Sequence, residues 1–395
     1  MNEEQQLRER LDGITVPPSR IDMAVLVRDG RRRARRRSLR AAGGAAVAAA
    51  VLVAVPTILT RTETAPTVPA VSSPASVFAA TPAAPSSCRV TKLPVPASVK
   101  GATPVAVDPS GRYIVGNTTV GQNFRPLVWT DGKPRALSVP AESVEATSVN
   151  ASGVVVGLMA DGPRTYVFRY VDGTYTKLTM PKGSWNPYPE PAINAAGDIV
   201  INAEPSGNME GKDSIVLLWK AGSKTPTRLP LPAGANAHDI TDDGTIVGGV
   251  YKDGVGVAAY AWDQQGKGRK LKTPAGQTGL AYAAQGKWAT GGLWPSESPA
   301  LWNLQTGELT KLEPEKPAGT TPNPVTNGPG DAVNASGWVA ANGSVLRDGP
   351  SLELARSTGV TIQPMGLSDT GLIVGYETKG DNYEARTWQC SPTAD

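Results

Sequence analysis

The nine residues VNASGVVVG (Val149–Gly157) return almost unchanged as INAAGDIVI (Ile193–Ile201), ITDDGTIVG (Ile240–Gly248) and LSDTGLIVG (Leu367–Gly375). A phrase repeated along a chain means a repeated structural unit, because each unit must bury its apolar face against a neighbour of the same kind. The turn glycine of the phrase stands at Gly111, Gly153, Gly197, Gly244, Gly286, Gly337 and Gly371, with spacings of 42, 44, 47, 42, 51 and 34 residues. Periods of this size belong to arrays, solenoids and propellers. The contents of one unit choose among them.

Around Gly244, AHDI is short and apolar at alternate positions. TDDG is a turn whose Asp side chains bond the backbone and whose Gly accepts positive φ. TIVGGVY is β-branched and strand-like, KDGVG is a loop, and VAAYAW is a strand ending in Trp262. DQQGKG turns the chain again, and RKLKTP is a last strand with Leu271 as its apolar point, closed by Pro274. That is four strands per period, with connections short enough for antiparallel neighbours. The strand-three aromatic recurs at Trp129, Phe168, Trp219, Trp262, Trp302 and Trp388, and the strand-four leucine at Leu137, Leu178, Leu229, Leu271 and Leu312. One large ring per unit at a fixed place is core, packed between neighbouring sheets. The sixth unit departs, with Leu346 where the aromatic should stand and its second loop nearly absent. Four-stranded units repeated seven times predict an all-β, seven-bladed β-propeller.

The seventh unit ends at ARTWQC and lacks a fourth strand, while CRVTKLPVP (Cys88–Pro96) has the character of the strand-four segments TKLTMP and RKLKTP. The N-terminal strand is therefore expected to complete the last blade, which removes an open sheet edge. The chain's two cysteines, Cys88 and Cys390, then sit on paired strands and are expected to form a disulfide.

The phrase INxxGxIVG…AxxW…L resembles the probable extracellular repeats of HAF type, and the unit layout resembles WD-like propellers. The resemblance covers roughly residues 88–390, with YAW, ALW and RTW where that family has His-Ala-Phe. It implies an extracytoplasmic β-rich repeat domain and brings no established chemistry.

Three regions precede the repeats. Residues 1–40 hold eleven Arg against six acidic residues, whereas the rest of the chain is close to neutral. Residues 41–59 carry no charge and are long enough to span a bilayer as one helix. Arg31, Arg32, Arg33, Arg35, Arg36 and Arg37 stand directly before this stretch, and after it only Arg61 occurs before Arg89. The positive-inside rule then predicts an uncleaved signal-anchor, with the N-terminus cytoplasmic and the remainder outside the cell membrane. Residues 60–87 are Pro, Ala, Ser and Thr with little charge, an extracytoplasmic tether. The propeller is expected over 88–391 and a short tail over 392–395. An Arg-rich tail, one span and such a tether resemble single-pass membrane proteins of actinobacterial type.

Chemistry is sparse. His238 is the single histidine, so no triad and no His-based metal cluster forms around it; it reads as a structural or surface residue. No metal and no cofactor is expected. Glycine strings such as DGVGVAAY are turns, since no helix follows them. Asn117, Asn150, Asn334 and Asn342 begin glycosylation-type triplets, but Asn150 and Asn334 belong to the repeat turn itself. No aromatic residue lies among the arginines and the domain is near neutral, so nucleic acid is not an expected partner.

The variable segments carry the functional expectation. PKGSWNPYPEP, LWPSES and ETKGDNYE connect strands two and three or successive blades, all on one side of the disc, and variable loops on a rigid scaffold carry binding. Trp185, Tyr188, Trp294 and Tyr383 lie in them, outside the repeat period, and are the candidate binding residues. The expected function is a membrane-anchored binding or interaction module for a protein partner or an envelope or external carbohydrate. The competing readings are an extracytoplasmic carboxylate-dependent hydrolase or lyase, and a single-pass signalling protein. Residues 41–59 would contact the lipid bilayer.

Overall fold

The structure, a computed structural model, describes residues 84–206, 213–312, 328–347, 351–380 and 382–392. The expected Arg-rich tail and membrane span lie outside these residues. Among the described residues, no helix is long and apolar enough to cross a membrane.

The strands form seven four-stranded antiparallel sheets. Blade one comprises β2 (Thr103–Val107), β3 (Tyr113–Val120), β4 (Asn123–Thr130) and β5 (Lys133–Ala136). Blades two to six follow in sequence over β6–β9 (Ser143–Lys177), β10–β13 (Trp185–Arg228), β14–β17 (Ala235–Lys270), β18–β21 (Thr278–Lys311) and β22–β25 (Ala332–Glu353). Blade seven takes β26 (Thr361–Leu367), β27 (Leu372–Lys379) and β28 (Asn382–Pro392), then closes with β1 (Pro85–Lys92) as its outer strand. Cys88 lies opposite Cys390 in this pairing, and the two form a disulfide. Blade six is complete, although none of its strands exceeds three residues.

The repeated rings lie between blades. Phe168, Trp219, Trp262, Trp302 and Trp388 each sit in an apolar cluster shared with the preceding blade, and Trp129 sits in the cluster that joins blade seven to blade one. Leu346 does the same duty between blades five and six, where a smaller side chain suffices for a smaller blade. The indole N–H of Trp302 donates to the Lys272 carbonyl and that of Trp388 to Ala355, each just past the outer strand of the preceding blade. Two further leucines join the strand-four series. Leu93 follows β1 and Leu354 follows β25 (Leu352–Glu353), both buried, each with its N–H on the third strand or its turn.

The repeated phrase has a physical reason at each end. Asn194 accepts the Asp198 N–H within its own turn, and its amide donates to the Thr241 carbonyl of the next blade. Asn150 and Asn334 do likewise, toward Asn194 and Ser368. The glycine that ends the phrase faces a bulge in the inner strand. A Cβ on Gly248 would lie 1.9 Å from the Asn236 carbonyl oxygen, and one on Gly157 or Gly291 would be as close to its own inner strand. Blade three has Ile201 instead, and there the inner strand makes a longer excursion, from Tyr188 to Ala192, before pairing resumes. Buried Asn117 has both ends of its amide on the Ala146 backbone, so it is a stitch between blades one and two and no acceptor for a glycan.

Candidate functional site

The inner-strand bulge places one side chain per blade on the central axis. Pairing breaks around Val105, Thr147, Pro189–Pro191, His238, Tyr282 and Met365, and Asp331 holds the corresponding place in blade six. All of these except Pro189 line a central cavity of about 220 Å³. Its wall also includes Pro109, Asn150, Ala195, Asp242 and Gln285, so it opens among the tight turns between strands one and two. That is the face opposite the variable connections.

The wall carries four carboxylates, Glu190, Asp239, Asp242 and Asp331, and no Lys or Arg. Asp239 accepts the Ala284 N–H of the next blade at 2.8 Å and the Ile240 N–H at 2.8 Å. Burial nevertheless pushes its carboxyl up to about 7, with Asp242 adding to the rise. Asp369 at the same mouth is raised too, by burial and then by Asp242 and Asp108, and it accepts from Gln285 at 3.1 Å. A second cleft of about 380 Å³ shares Asp242 and adds Asp198, Asp243, Asp263 and Lys220. Lys220 reaches the Asp198 carboxylate at 2.5 Å. Among the described residues, no group of three or more His, Cys, Asp and Glu side chains is placed to hold a metal ion.

His238 anchors an aromatic group on one side of the channel. Its Nε2 lies 3.2 Å from the Tyr251 hydroxyl, and its ring meets Tyr282 edge-on at 5.1 Å. Tyr282 in turn meets Trp294 edge-on at 6.2 Å. Burial lowers the imidazole to about 4, so it is neutral through the physiological range. The Tyr251 phenol is raised well above its ordinary value by burial, with Tyr282 and Tyr188 adding to the shift.

The four aromatic candidates do not form one site, and none stands in an irregular connection. The proline-flanked stretches run on as strand: Trp185 and Tyr188 belong to β10 (Trp185–Ile193), Trp294 ends β19 (Trp288–Trp294), and Tyr383 lies in β28. The hairpins tighten for the same reason, with pairing kept up to Val120↔Asn123 and Lys379↔Asn382. Tyr188 is buried, and its hydroxyl donates to Asn236 Oδ1 at 2.5 Å. Trp294 is 3% exposed, held beside Tyr282. Trp185 is half-buried, donates to the Lys182 carbonyl and packs on the cluster between blades two and three. Tyr383 is exposed and meets Tyr376 edge-on on blade seven. Tyr188 and Trp294 thus support the walls around His238, while Trp185 and Tyr383 stand elsewhere.

The channel residues had a signal in the sequence. Counting six back from the turn glycine gives Val105, Thr147, Pro191, His238, Asp331 and Met365, and four back in the fifth unit, whose turn is shorter, gives Tyr282. By that count the lone histidine faces the axis.

No protein-family model matches the chain, and no curated protein matches it. Among solved structures it is similar to an oligogalacturonate lyase in complex with manganese, at 12% identity and TM-score 0.49 over 76% of this chain and 93% of that one. It is similar to the Dos1 propeller at 10% identity and TM-score 0.45, over 76% and 94%. TolB from Acinetobacter baumannii matches at 12% identity and TM-score 0.41, over 76% and 66%. At these identities the likeness is one of architecture, and the chain is a seven-bladed β-propeller whose activity must be argued from its own residues.

Proposed function

We propose that this chain is a membrane-anchored binding module, with its propeller outside the cytoplasm and its ligand, from a protein partner or an envelope carbohydrate, seated in the central channel. One observation carries the reading. The core positions repeat from blade to blade, but the equivalent channel positions hold Val105, Thr147, Pro191, His238, Tyr282, Asp331 and Met365. An axis filled only for packing needs no titratable groups, and burying them there costs stability. A symmetric scaffold with an asymmetric lining fits selection for a ligand. The placement outside the cytoplasm draws on the Arg run before residues 41–59, the HAF-type resemblance and the Cys88–Cys390 bridge, a bond that persists in oxidising compartments.

Plugging the channel tests the reading. Met365→Trp adds bulk at the axis, on a half-buried residue outside the blade clusters. It should leave the melting temperature within a few degrees and abolish binding of cell-envelope fractions to the full chain. Unchanged binding in the plugged protein would sink the channel assignment. A hydrolase reading draws on Asp239, whose carboxyl is half protonated near neutrality, as a general acid requires. Turnover of an envelope glycan that disappears in Asp239→Asn would favour it.

A further inference from the structure

We infer that the channel receives the ammonium or guanidinium group of a basic peptide side chain, entering from the tight-turn face. This rests on the channel reading and names its ligand class. The cavity is the first ground. Its volume of about 220 Å³ suits a charged head on a short alkyl stem. The wall is the second. Glu190 of blade three, Asp239 and Asp242 of blade four and Asp331 of blade six face the space with no Lys or Arg between them. Charges of one sign in a narrow, low-dielectric cleft focus their field, which repels anions and concentrates cations. The aromatic pair is the third. His238 and Tyr282 meet edge-on at 5.1 Å beside these carboxylates, and aromatic rings next to carboxylates are a setting that holds organic cations. The four carboxylates come from three blades, and none of them belongs to a group placed to hold a metal ion among the described residues. Such a spread suits the several diverging N–H donors of Lys or Arg.

The neighbouring cleft extends the match. Asp242 lines both spaces, and the cleft brings Asp198, Asp243 and Asp263 against the single cation Lys220. A second positive residue on the same peptide would meet these carboxylates while the first sits in the channel. Binding also has a proton signature. Asp239 shares the cavity wall with His238 and Asp242 of its own blade, Glu190 of blade three, Tyr282 of blade five and Asp331 of blade six, and of these charges Asp242 acts on it. A bound cation favours the ionised carboxylate, so binding releases a proton near neutral pH and affinity rises from pH 6 to pH 8. His238, lowered to about 4, stays neutral across that span.

The lone histidine is a built-in reporter. The full chain, purified in detergent without a histidine tag and labelled with 13C only at histidine, gives one imidazole signal. It is titrated with acetyl-Gly-Lys-Gly-amide, its Arg counterpart, and Glu and norleucine controls. 1,5-Diaminopentane tests whether a free amine serves as well. The Lys or Arg peptide should shift the imidazole signal saturably and more tightly at pH 8 than at pH 6, with Glu and norleucine inert. Glu190→Gln and Asp239→Asn should each weaken binding about tenfold, and either variant alone decides if the other fails to fold. No shift from the Lys and Arg peptides and the diamine, or an equal shift from norleucine, overturns the inference. A shift from a neutral envelope glycan with none from the cationic probes also overturns it, while leaving channel binding itself intact.

Discussion

Asn194 shows how much one side chain carries in this repeat. At 3% exposure it has no water to fall back on, and it uses its oxygen within the turn and its amide across the blade boundary. Turn chemistry alone treats Asn and Asp as near equivalents. The structure separates them, because Asp cannot donate to the Thr241 carbonyl and would set oxygen against oxygen. Asn194→Asp should therefore lower stability by about 1–3 kcal/mol, the cost of a buried group left unsatisfied, read as a lower denaturant midpoint. His238 and Asp239 make a second residue-scale case. The unfolded chain protonates its histidine near 6.5, but the fold refuses that proton until about 4, so this residue lowers stability as pH falls across that window. Asp239 does the reverse. The fold keeps a proton up to about 7 that the unfolded chain releases near 3.8, so stability rises as pH falls through the same range. The neighbours offset each other, and removing one exposes the other. Melting temperatures at pH 5 and pH 7 should show His238→Gln gaining stability at pH 5 relative to pH 7, and Asp239→Asn losing it. A flat difference in both variants would show that neither side chain is perturbed as described.

At the scale of the element, the bulge and the glycine facing it are one device. Gly248, Gly291 and Gly157 each leave space for an inner-strand carbonyl that any Cβ would strike at 1.9 Å. Gly291→Ala should therefore cost about 1–3 kcal/mol despite the residue's small size, measured by chemical unfolding. Ile201 is the internal control, since the longer excursion of β10 gives a side chain room; Ile201→Gly should destabilise instead by emptying core. Much of this architecture is legible in the sequence. Four strands per unit, the rings, the leucines and the strand that closes blade seven all come from the period. The bulge is hidden because strand alternation reads two residues at a time, and one extra residue reads as an irregularity rather than a direction. His238 therefore reads as a structural or surface residue, although it faces the axis. Trp294 and Tyr188 read as loop residues because proline stands nearby, yet both lie in strands and are buried. Blade six is hard to read for the opposite reason: two- and three-residue strands leave no pattern, and only the neighbouring blades hold them in register.

At the scale of the whole molecule, the ring is closed twice, by backbone pairing of β1 with β28 and by a disulfide that spans 302 residues. The chain-entropy estimate for so long a loop is about 5 kcal/mol, but pairing from Ser87↔Ser391 to Lys92↔Arg386 also holds the closure. Cys88→Ser should thus lower the melting temperature without preventing folding, and reduction of the native chain should match it. Two titratable thiols in the unreduced protein would refute the bridge. The same bridge bears on where the domain lives. Thiols this close are kept reduced in a cytosol and oxidised outside it. The sequence puts seven-residue RRRARRR (Arg31–Arg37) before nineteen uncharged residues, the order that holds an N-terminus inside and sends the downstream chain outward. A fusion after Ser87 should therefore make alkaline phosphatase active, since that reporter needs its own disulfides, and leave a cytoplasmic fluorescent reporter dark. Replacing the six arginines of the run with glutamate should weaken or invert this pattern, and the propeller retained inside should then carry free Cys88 and Cys390. Phosphatase activity unaffected by the charge reversal would show that another signal sets the topology. Fluorescence without phosphatase activity in the unaltered chain would remove the anchor and, with it, the oxidising compartment that the Cys88–Cys390 bridge requires.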